Sequence, residues 1–397
     1  GGAGMNFAPV SWQHNSSVFY PWLALLVLGW MMVASASTGV GEYLTGNSFY
    51  FTIRHAVYLI LGVSVMFLVS QISLARWAKF DVLLLIGGFI GLILVFVPGI
   101  GHEVNGSQRW LNLGLIKIQA SEIAKLGAVF YVAGYLVRRE AEVKSQWSGF
   151  LKPLGILAAM VVLLLLEPDF GAVVVLMGSA MIMLFLGGVK AGQFFLLTFA
   201  TLILSSIVVT GEDYRMQRLL AYMDPWSPEH VYGTGYQLTQ SLIAFGRGEL
   251  FGVGFGESVQ KLFYLPEAHT DFVFAIWAEE TGLLGAAAAL GLLAFLIGKI
   301  WQISWAAQRQ GMMYASYVAV GIASLLGLQV VINLGVNTGL LPTKGLTLPF
   351  YSYGGSSLMM CCAMVGIVMR IAYETQVAEH AGEVITGEEK SGEADDE

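Results

Sequence analysis

Residues 265–282, LPEAHTDFVFAIWAEETG, bring together the groups best suited to acid–base chemistry. Glu267, His269 and Asp271 fall within five residues, and two adjacent carboxylates, Glu279 and Glu280, follow inside an apolar run. Asp271 stands where that run begins, at an expected helix N-terminus. Free N–H groups and the helix dipole stabilise a carboxylate there, so Asp271 reads either as an N-cap or as a functional acid. Eight residues separate Asp271 from Glu279, which predicts a similar face of one helix, with Glu279 and Glu280 about 12–13 Å deeper. Carboxylates at that depth are costly unless they face protein, a partner or water, so at least one is expected to face an internal polar site.

Three further segments carry polar groups between apolar runs. In RWLNLGLIKIQASEIAKL, Arg109 and Trp110 form a cation-plus-aromatic pair suited to an interface or an anionic headgroup, and Glu122 and Lys125 are spaced to pair on a helix. An ordinary interfacial anchor and an intrahelical salt bridge would give the same pattern. In LEPDFG, Asp169 sits in a tight turn, as a turn or cap residue or as a carboxylate on the rim. In GLLPTKGLTLPFYSYGGSS, Lys344 with Thr343, Ser352, Ser356, Ser357 and two glycines resembles a place where backbone N–H groups and hydroxyls meet an anion; a re-entrant glycine turn is the alternative. The spacing is not that of a nucleotide-binding loop.

The elements that must position these groups are membrane helices. The 397-residue chain is 56% hydrophobic and only 12% charged, where a soluble domain carries about a quarter charged residues. Mean hydropathy is +0.69. Apolar runs long enough to span a bilayer recur along the chain, at roughly 18–38, 50–70, 80–99, 121–138, 150–167, 171–188, 192–210, 272–300, 313–338 and 355–373. The fold class is therefore all-α polytopic, with about ten transmembrane helices and a large loop at 211–271 between spans 7 and 8. Within that loop Tyr236, Leu238, Leu242, Ile243 and Phe245 form an apolar face expected to lie in the membrane interface. Residues 1–17 precede the first span, 18–375 form the membrane domain, and the acidic tail at 376–397 is expected to be disordered. The tail accounts for the formal net charge of −7, so no basic surface argues for nucleic acid. Cys361 and Cys362, in an apolar run, read as small core residues and not as a disulfide or metal site. An even span count puts both termini on one side. The short basic connections after spans 2, 4, 6 and 8 suggest that this side is cytoplasmic.

Taken together, LPEAHTDFVFAIWAEETG, GYQLTQSLIAFGRGELFGVGFG, LPTKGLTLPFYSYGGSS and RWLNLGLIKIQASE resemble the SEDS family of peptidoglycan glycosyltransferases, in its cell-division branch. The resemblance runs from the first span to about Tyr373. Two positions depart from the family pattern: Ala120 stands where proline is usual, and Glu167 where the turn commonly begins with glutamine.

The resemblance implies ten helices with cytoplasmic termini in the bacterial inner membrane at the division septum, and a periplasmic loop at 211–271. It implies polymerisation of lipid II, with Asp271 at the family's essential aspartate, Glu122 and Lys125 at its Glu–Lys pair, and Asp169 at its turn aspartate. Asp271 is the expected general base, or alternatively a metal ligand. Arg109, Lys125, Arg247 and Lys344 are the cations expected at the pyrophosphate. Trp110, Glu122, Asp169, Glu267, His269, Ser352 and Ser356 complete the expected substrate-binding set, with Glu279 and Glu280 as internal polar support. A divalent cation, Mg²⁺ or Mn²⁺, could share the pyrophosphate. The implied partners are a class B penicillin-binding protein transpeptidase and the divisome regulators FtsQ, FtsL, FtsB and FtsN. A lipid II flippase and a divisome scaffold are the rival functions.

Overall fold

A computed structural model describes residues 16–104, 107–112, 114, 117–210, 220–342 and 345–394. Its long helices are α1 (Ser16–Ala36), α3 (Tyr50–Ser70), α4 (Leu74–Leu94), α5 (Ala120–Arg138), α7 (Trp147–Leu166), α8 (Phe170–Leu186), α9 (Ala191–Thr210), α11 (Val273–Arg309), α12 (Met313–Asn337) and α13 (Gly355–Ala394). Short helices α2 (Thr38–Thr45), α6 (Glu140–Ser145) and α10 (Tyr236–Gly248) lie on the connections. Eight of the long helices are apolar and long enough to cross a bilayer, and α8, with 17 residues, and the apolar α9 fill the other two expected positions. The protein is thus a polytopic helical membrane protein. Helix α4 starts earlier than the hydropathy suggests, because its first turns carry Arg76 and Lys79.

Helices α5, α12 and α13 are mostly buried, whereas α3 and α4 turn most of their surface outward. That outward surface is apolar, with Ile53, Ile60, Leu68 and Leu83 exposed, as expected where lipid is the solvent. Helix α4 packs on α5, α3 on α13, and α11 on α12.

The connection at 100–119 is a small antiparallel sheet of β1 (Gly101–Val104), β2 (Ser107–Asn112) and β3 (Lys117–Gln119), in that order, which the hydropathy reading did not anticipate. The Asn105-Gly106 pair between β1 and β2 is the sequence signal for a hairpin. Helix α10 does not lie free in the interface. It packs on α11 and α12, burying Leu238 and Ala244 and setting Phe245 against Phe274 at 6.0 Å between ring centres. The acidic tail also differs from expectation, since α13 continues to Ala394. Extending a helix that is already anchored needs no new nucleus.

Helix α11 is interrupted at Gly282 (φ 69°, ψ −167°). The interruption frees backbone groups on both sides, and residues 249–254 take them. Val253 N–H donates to the Glu279 carbonyl at 3.0 Å and Gly254 N–H to the Glu280 carbonyl at 3.0 Å. In return Leu283 and Leu284 N–H groups donate to the carbonyls of Glu249 (2.9 Å) and Leu250 (3.3 Å). Close approach requires glycine: a Cβ at 282 would lie 2.5 Å from the Leu250 carbonyl oxygen, and Gly252 (φ 79°) abuts the Glu280 carbonyl. Gly282→Ala is therefore expected to cost more than about 2 kcal/mol and to lower the melting temperature in detergent. Gly87→Ala in α4, where a Cβ meets nothing within 4 Å, should leave the melting temperature unchanged or raise it slightly.

Candidate functional site

Asp271 lies on the face of the bundle that carries the 100–119, 220–271 and 345–354 connections. It precedes Phe272, the N-cap of α11, so it is not on the helix and does not share a helical face with Glu279. Its backbone carbonyl accepts from the side-chain amides of Asn333 (2.9 Å) and Asn337 (3.0 Å) of α12. Asn333 also donates to the Leu346 carbonyl at 2.6 Å, tying the 345–348 segment to the same anchor. Gly345 leaves room for the Asp271 carboxylate: a Cβ there would be 3.0 Å from Oδ2. Asp271 keeps part of its surface open yet is surrounded by protein. Loss of hydration, with the charge of Glu267 nearby, pushes its carboxyl up to about 7, against the opposing pull of Arg109.

The loop before it is tightly turned. Glu267 has φ 55°, and its carboxylate accepts from Thr270 Oγ1 at 2.5 Å. The His269 ring packs between Phe51 (4.7 Å) and Tyr353 (5.6 Å), and Tyr353 N–H donates to the His269 carbonyl at 2.9 Å. Burial holds the His269 imidazole below its usual pKa, opposed by the Glu267 charge.

Arg109 comes from β2. Its Nε donates to the Glu167 carbonyl at 3.1 Å and its Nη2 to the Pro168 carbonyl at 2.6 Å, clamping the α7–α8 turn. Trp110, next along the strand, belongs to the opposite face of the sheet, so the expected Arg–Trp pair is divided by strand alternation. Asp169 caps α8, accepting from Ala172 N–H at 3.3 Å, and receives Gln119 Nε2 at 2.9 Å. Glu167 is fully buried, and neither carboxyl oxygen has a partner among the described residues. Burial first, then the Asp169 charge, pushes its carboxyl up to about 8, with Arg109 opposing.

Glu122 and Lys125 do pair, at 2.8 Å and almost fully buried. Lys125 also reaches Gln329 Oε1 at 3.4 Å, and Gln329 Nε2 donates to the Thr347 carbonyl at 3.0 Å. The pair is thus wired to the 345–348 segment that faces Asp271. Ser352 Oγ accepts from Leu348 N–H at 2.7 Å and closes the next turn. Ser356 is buried, with no hydrogen-bond partner for its hydroxyl among the described residues. Lys344 lies outside the described residues.

Glu279 and Glu280 do find polar neighbours. Glu279 accepts from the Ser258 hydroxyl, from Val259 N–H (3.2 Å) and Gln260 N–H (3.3 Å), and pairs with Arg247 at 3.0 Å. Glu280 receives Ser35 Oγ (2.6 Å) from α1 and pairs with Lys261 at 2.9 Å. Arg247 is therefore engaged by a carboxylate, although its side chain remains 45% exposed.

Gln329, Asn333 and Asn337 were missed in the sequence. Their i, i+4, i+8 spacing inside an apolar run is a polar stripe, and that is the signal that would have found them. Among the described residues no group of three or more His, Cys, Asp or Glu side chains is placed to hold a metal ion.

A family profile described as cell cycle protein, FtsW/RodA/SpoVE, matches residues 15–377. The chain belongs to the FtsW/RodA/SpoVE family. It is 52% identical over 354 residues to a probable peptidoglycan glycosyltransferase FtsW of Pseudomonas fluorescens, covering 89% of this chain and 86% of the relative. It is 50% identical over 369 residues to the protein so described in Coxiella burnetii, covering 92% and 98%. Among solved structures it resembles a chain from work on the structural coordination of polymerization and crosslinking by a peptidoglycan synthase complex. There the TM-score is 0.75 at 27% identity, over 93% of this chain and 99% of that one. It also resembles the rod shape determining protein RodA of Thermus thermophilus, at TM-score 0.67 and 27% identity, over 92% and 98%. Within this FtsW/RodA/SpoVE chain, the ion pairs at Glu279 and Glu280 hold the 247–261 region against α11.

Removing one partner of the buried Lys261–Glu280 pair leaves a bare charge. Glu280→Gln is expected to destabilise by about 3–5 kcal/mol and to open the 249–264 segment to limited proteolysis. The double change Glu280→Gln with Lys261→Met should recover most of that loss.

Proposed function

We infer that this chain is a peptidoglycan glycosyltransferase that polymerises lipid II, with Asp271 as the general base. The observation that carries the role of Asp271 is its carboxyl, which lies beside Gly345 on a residue whose backbone carbonyl two asparagines anchor, and which is pushed up to about 7. A base whose pKa lies near the working pH is both deprotonated often enough and basic enough to take a proton.

In this reading the hydroxyl of the acceptor sugar gives its proton to Asp271 as its oxygen attacks the anomeric carbon of the donor. The bond from that carbon to the diphosphate oxygen breaks, and undecaprenyl diphosphate departs with the electron pair. Arg109 supplies positive charge for the departing group. Its cation is bound to neutral carbonyls, and no carboxylate lies within 4 Å among the described residues. Glu167, with its carboxyl near 8, is mostly protonated at neutral pH and leaves that charge available. The Glu122–Lys125 pair acts through Gln329 to fix the 345–348 segment against Asp271. Were Asp271 a metal ligand instead of the base, a Mg²⁺ or Mn²⁺ ion there would neutralise charge on the diphosphate.

The same reading puts the connections around Asp271 on the periplasmic side of the inner membrane and both termini in the cytoplasm, with work at the division septum. Polymerisation alone leaves strands uncrosslinked, so a class B penicillin-binding protein transpeptidase is the proposed partner, with the regulators FtsQ, FtsL, FtsB and FtsN around it.

Two outcomes follow for purified protein, with its transpeptidase, given lipid II in detergent and, separately, in sealed vesicles. Asp271→Asn should lower polymerisation by about 10²–10⁴-fold while the melting temperature holds. Lipid II that crosses vesicles without ever being polymerised would instead point to a flippase. The wild-type maximal rate should rise with pH through about 7, because the deprotonated form is the active base. About a tenth of the carboxyl is ionised one pH unit below that value and about nine tenths one unit above. A rate that falls over this interval contradicts the assignment.

A further inference from the structure

Arg54 stands on the second turn of α3, at the same face of the bundle as Asp271. Its Nη1 donates to the Tyr50 hydroxyl at 2.6 Å and its Nη2 to the Tyr58 hydroxyl at 3.4 Å. The guanidinium carbon is 5.5 Å from the centre of the Tyr50 ring. The three residues follow each other at four-residue spacing, so they share one helical face. Phenols are neutral, so they orient the guanidinium without cancelling its charge. Among the described residues no carboxylate lies within 4 Å of it. Arg247 and Lys261, by contrast, are neutralised by Glu279 and Glu280.

A snorkelling arginine would reach headgroups on a free side chain. Arg54 is held in place. Tyr58 fits against the backbone only because residue 355 is glycine, where a Cβ would be 2.5 Å from the ring. Tyr353 stands edge-on to Tyr58 at 6.3 Å and packs on His269 at 5.6 Å. His269 is two residues from Asp271. A continuous set of rings therefore links Arg54 to the loop of the base. Helix α3 packs on α13 and α1, whereas β2, which carries Arg109, packs on α4 and α5, so the two cations come to this loop from separate parts of the bundle.

Glycosyl transfer between two lipid-linked sugars brings two diphosphates to one base. The departing one sits on the anomeric carbon under attack, close to the base, and Arg109 is near enough to act on the Asp271 charge. The diphosphate of the acceptor stays on its lipid, a disaccharide's length from the attacking hydroxyl. We propose that Arg54, oriented by Tyr50 and Tyr58, binds the acceptor's diphosphate, with the packed rings of Tyr58, Tyr353 and His269 fixing its place relative to Asp271. Guanidinium suits phosphate because it donates two parallel charge-assisted hydrogen bonds. The proposal rests on the glycosyltransferase reading above, but its binding arm can be read without turnover.

The test uses the full chain with its transpeptidase and lipid II itself as the probe. Native mass spectrometry of the wild type should retain two lipid II molecules, and Arg54→Ala only one. In steady state, Arg54→Ala should raise the lipid II concentration for half-maximal rate by about tenfold or more. Arg109→Ala should mainly lower the maximal rate. The Tyr50→Phe, Tyr58→Phe double variant keeps the charge but frees it. It should raise the half-maximal concentration less than Arg54→Ala does, and it tests the site even if Arg54→Ala does not fold. Two lipid II molecules retained by Arg54→Ala, or an unchanged concentration dependence, overturns the proposal. So does retention of both lipid II molecules with loss only of phosphatidylglycerol or cardiolipin, which would assign Arg54 to bulk phospholipid headgroups. If the wild type binds two lipid II molecules and Arg54→Ala one, but neither polymerises, the subsite stands and the catalytic reading fails.

Discussion

A helix broken inside protein leaves carbonyl and N–H groups bare, and in a membrane protein each such group costs several kcal/mol unless something else meets it. In α11 the break at Gly282 is met by residues 249–254, which accept and donate at both of its edges. Glu279 and Glu280 stand just before that break and reach the 258–261 turn, Arg247 and Ser35. The loop that delivers Asp271 is thereby fixed to the helix that follows Asp271. Were the break closed into a regular helix, the exchange of backbone bonds would vanish and the two glutamates would lose their receptors.

The same arrangement sorts the charges. Two of the cations on this face are consumed by the two structural glutamates, so they hold the loop and cannot freely bind substrate. Arg109 and Arg54 are held only by carbonyls and phenols, which orient a guanidinium and leave its charge intact. Asp271 is left with little hydration and a like charge nearby, and this is what raises its carboxyl. A catalytic carboxylate and two available cations thus follow from where the other charges are tied down.

The ten helices were legible in the sequence because hydropathy over about 20 residues is a strong signal, and α12 and α5 begin within a residue of the expected bounds. The glutamates inside an apolar run announced internal partners, and the partners exist. Their identity was not legible, because Ser258, Lys261 and Ser35 are distant in sequence and paired only by the fold. The single helix expected to join Asp271 to Glu279 was wrong in detail, since the chain becomes helical only after Phe272. Gly282 looked like any glycine of a membrane helix. The β-sheet at 101–119 was hidden by short strands, and the roles of Asn333 and Asn337 by their place in an apolar run whose hydropathy drowned the polar stripe.

The central claim is that Asp271 is a carboxyl tuned to ionise near neutral pH. Infrared difference spectroscopy of the purified protein, titrated from pH 5 to 9, reads the carbonyl stretch of protonated carboxyls directly. A band that disappears with a midpoint near 7 in the wild type and is missing in Asp271→Asn is the expected result. If the wild-type and Asp271→Asn difference spectra coincide from pH 5 to 9, because Asp271 is already ionised at the ordinary aspartate value of about 4, the account is contradicted.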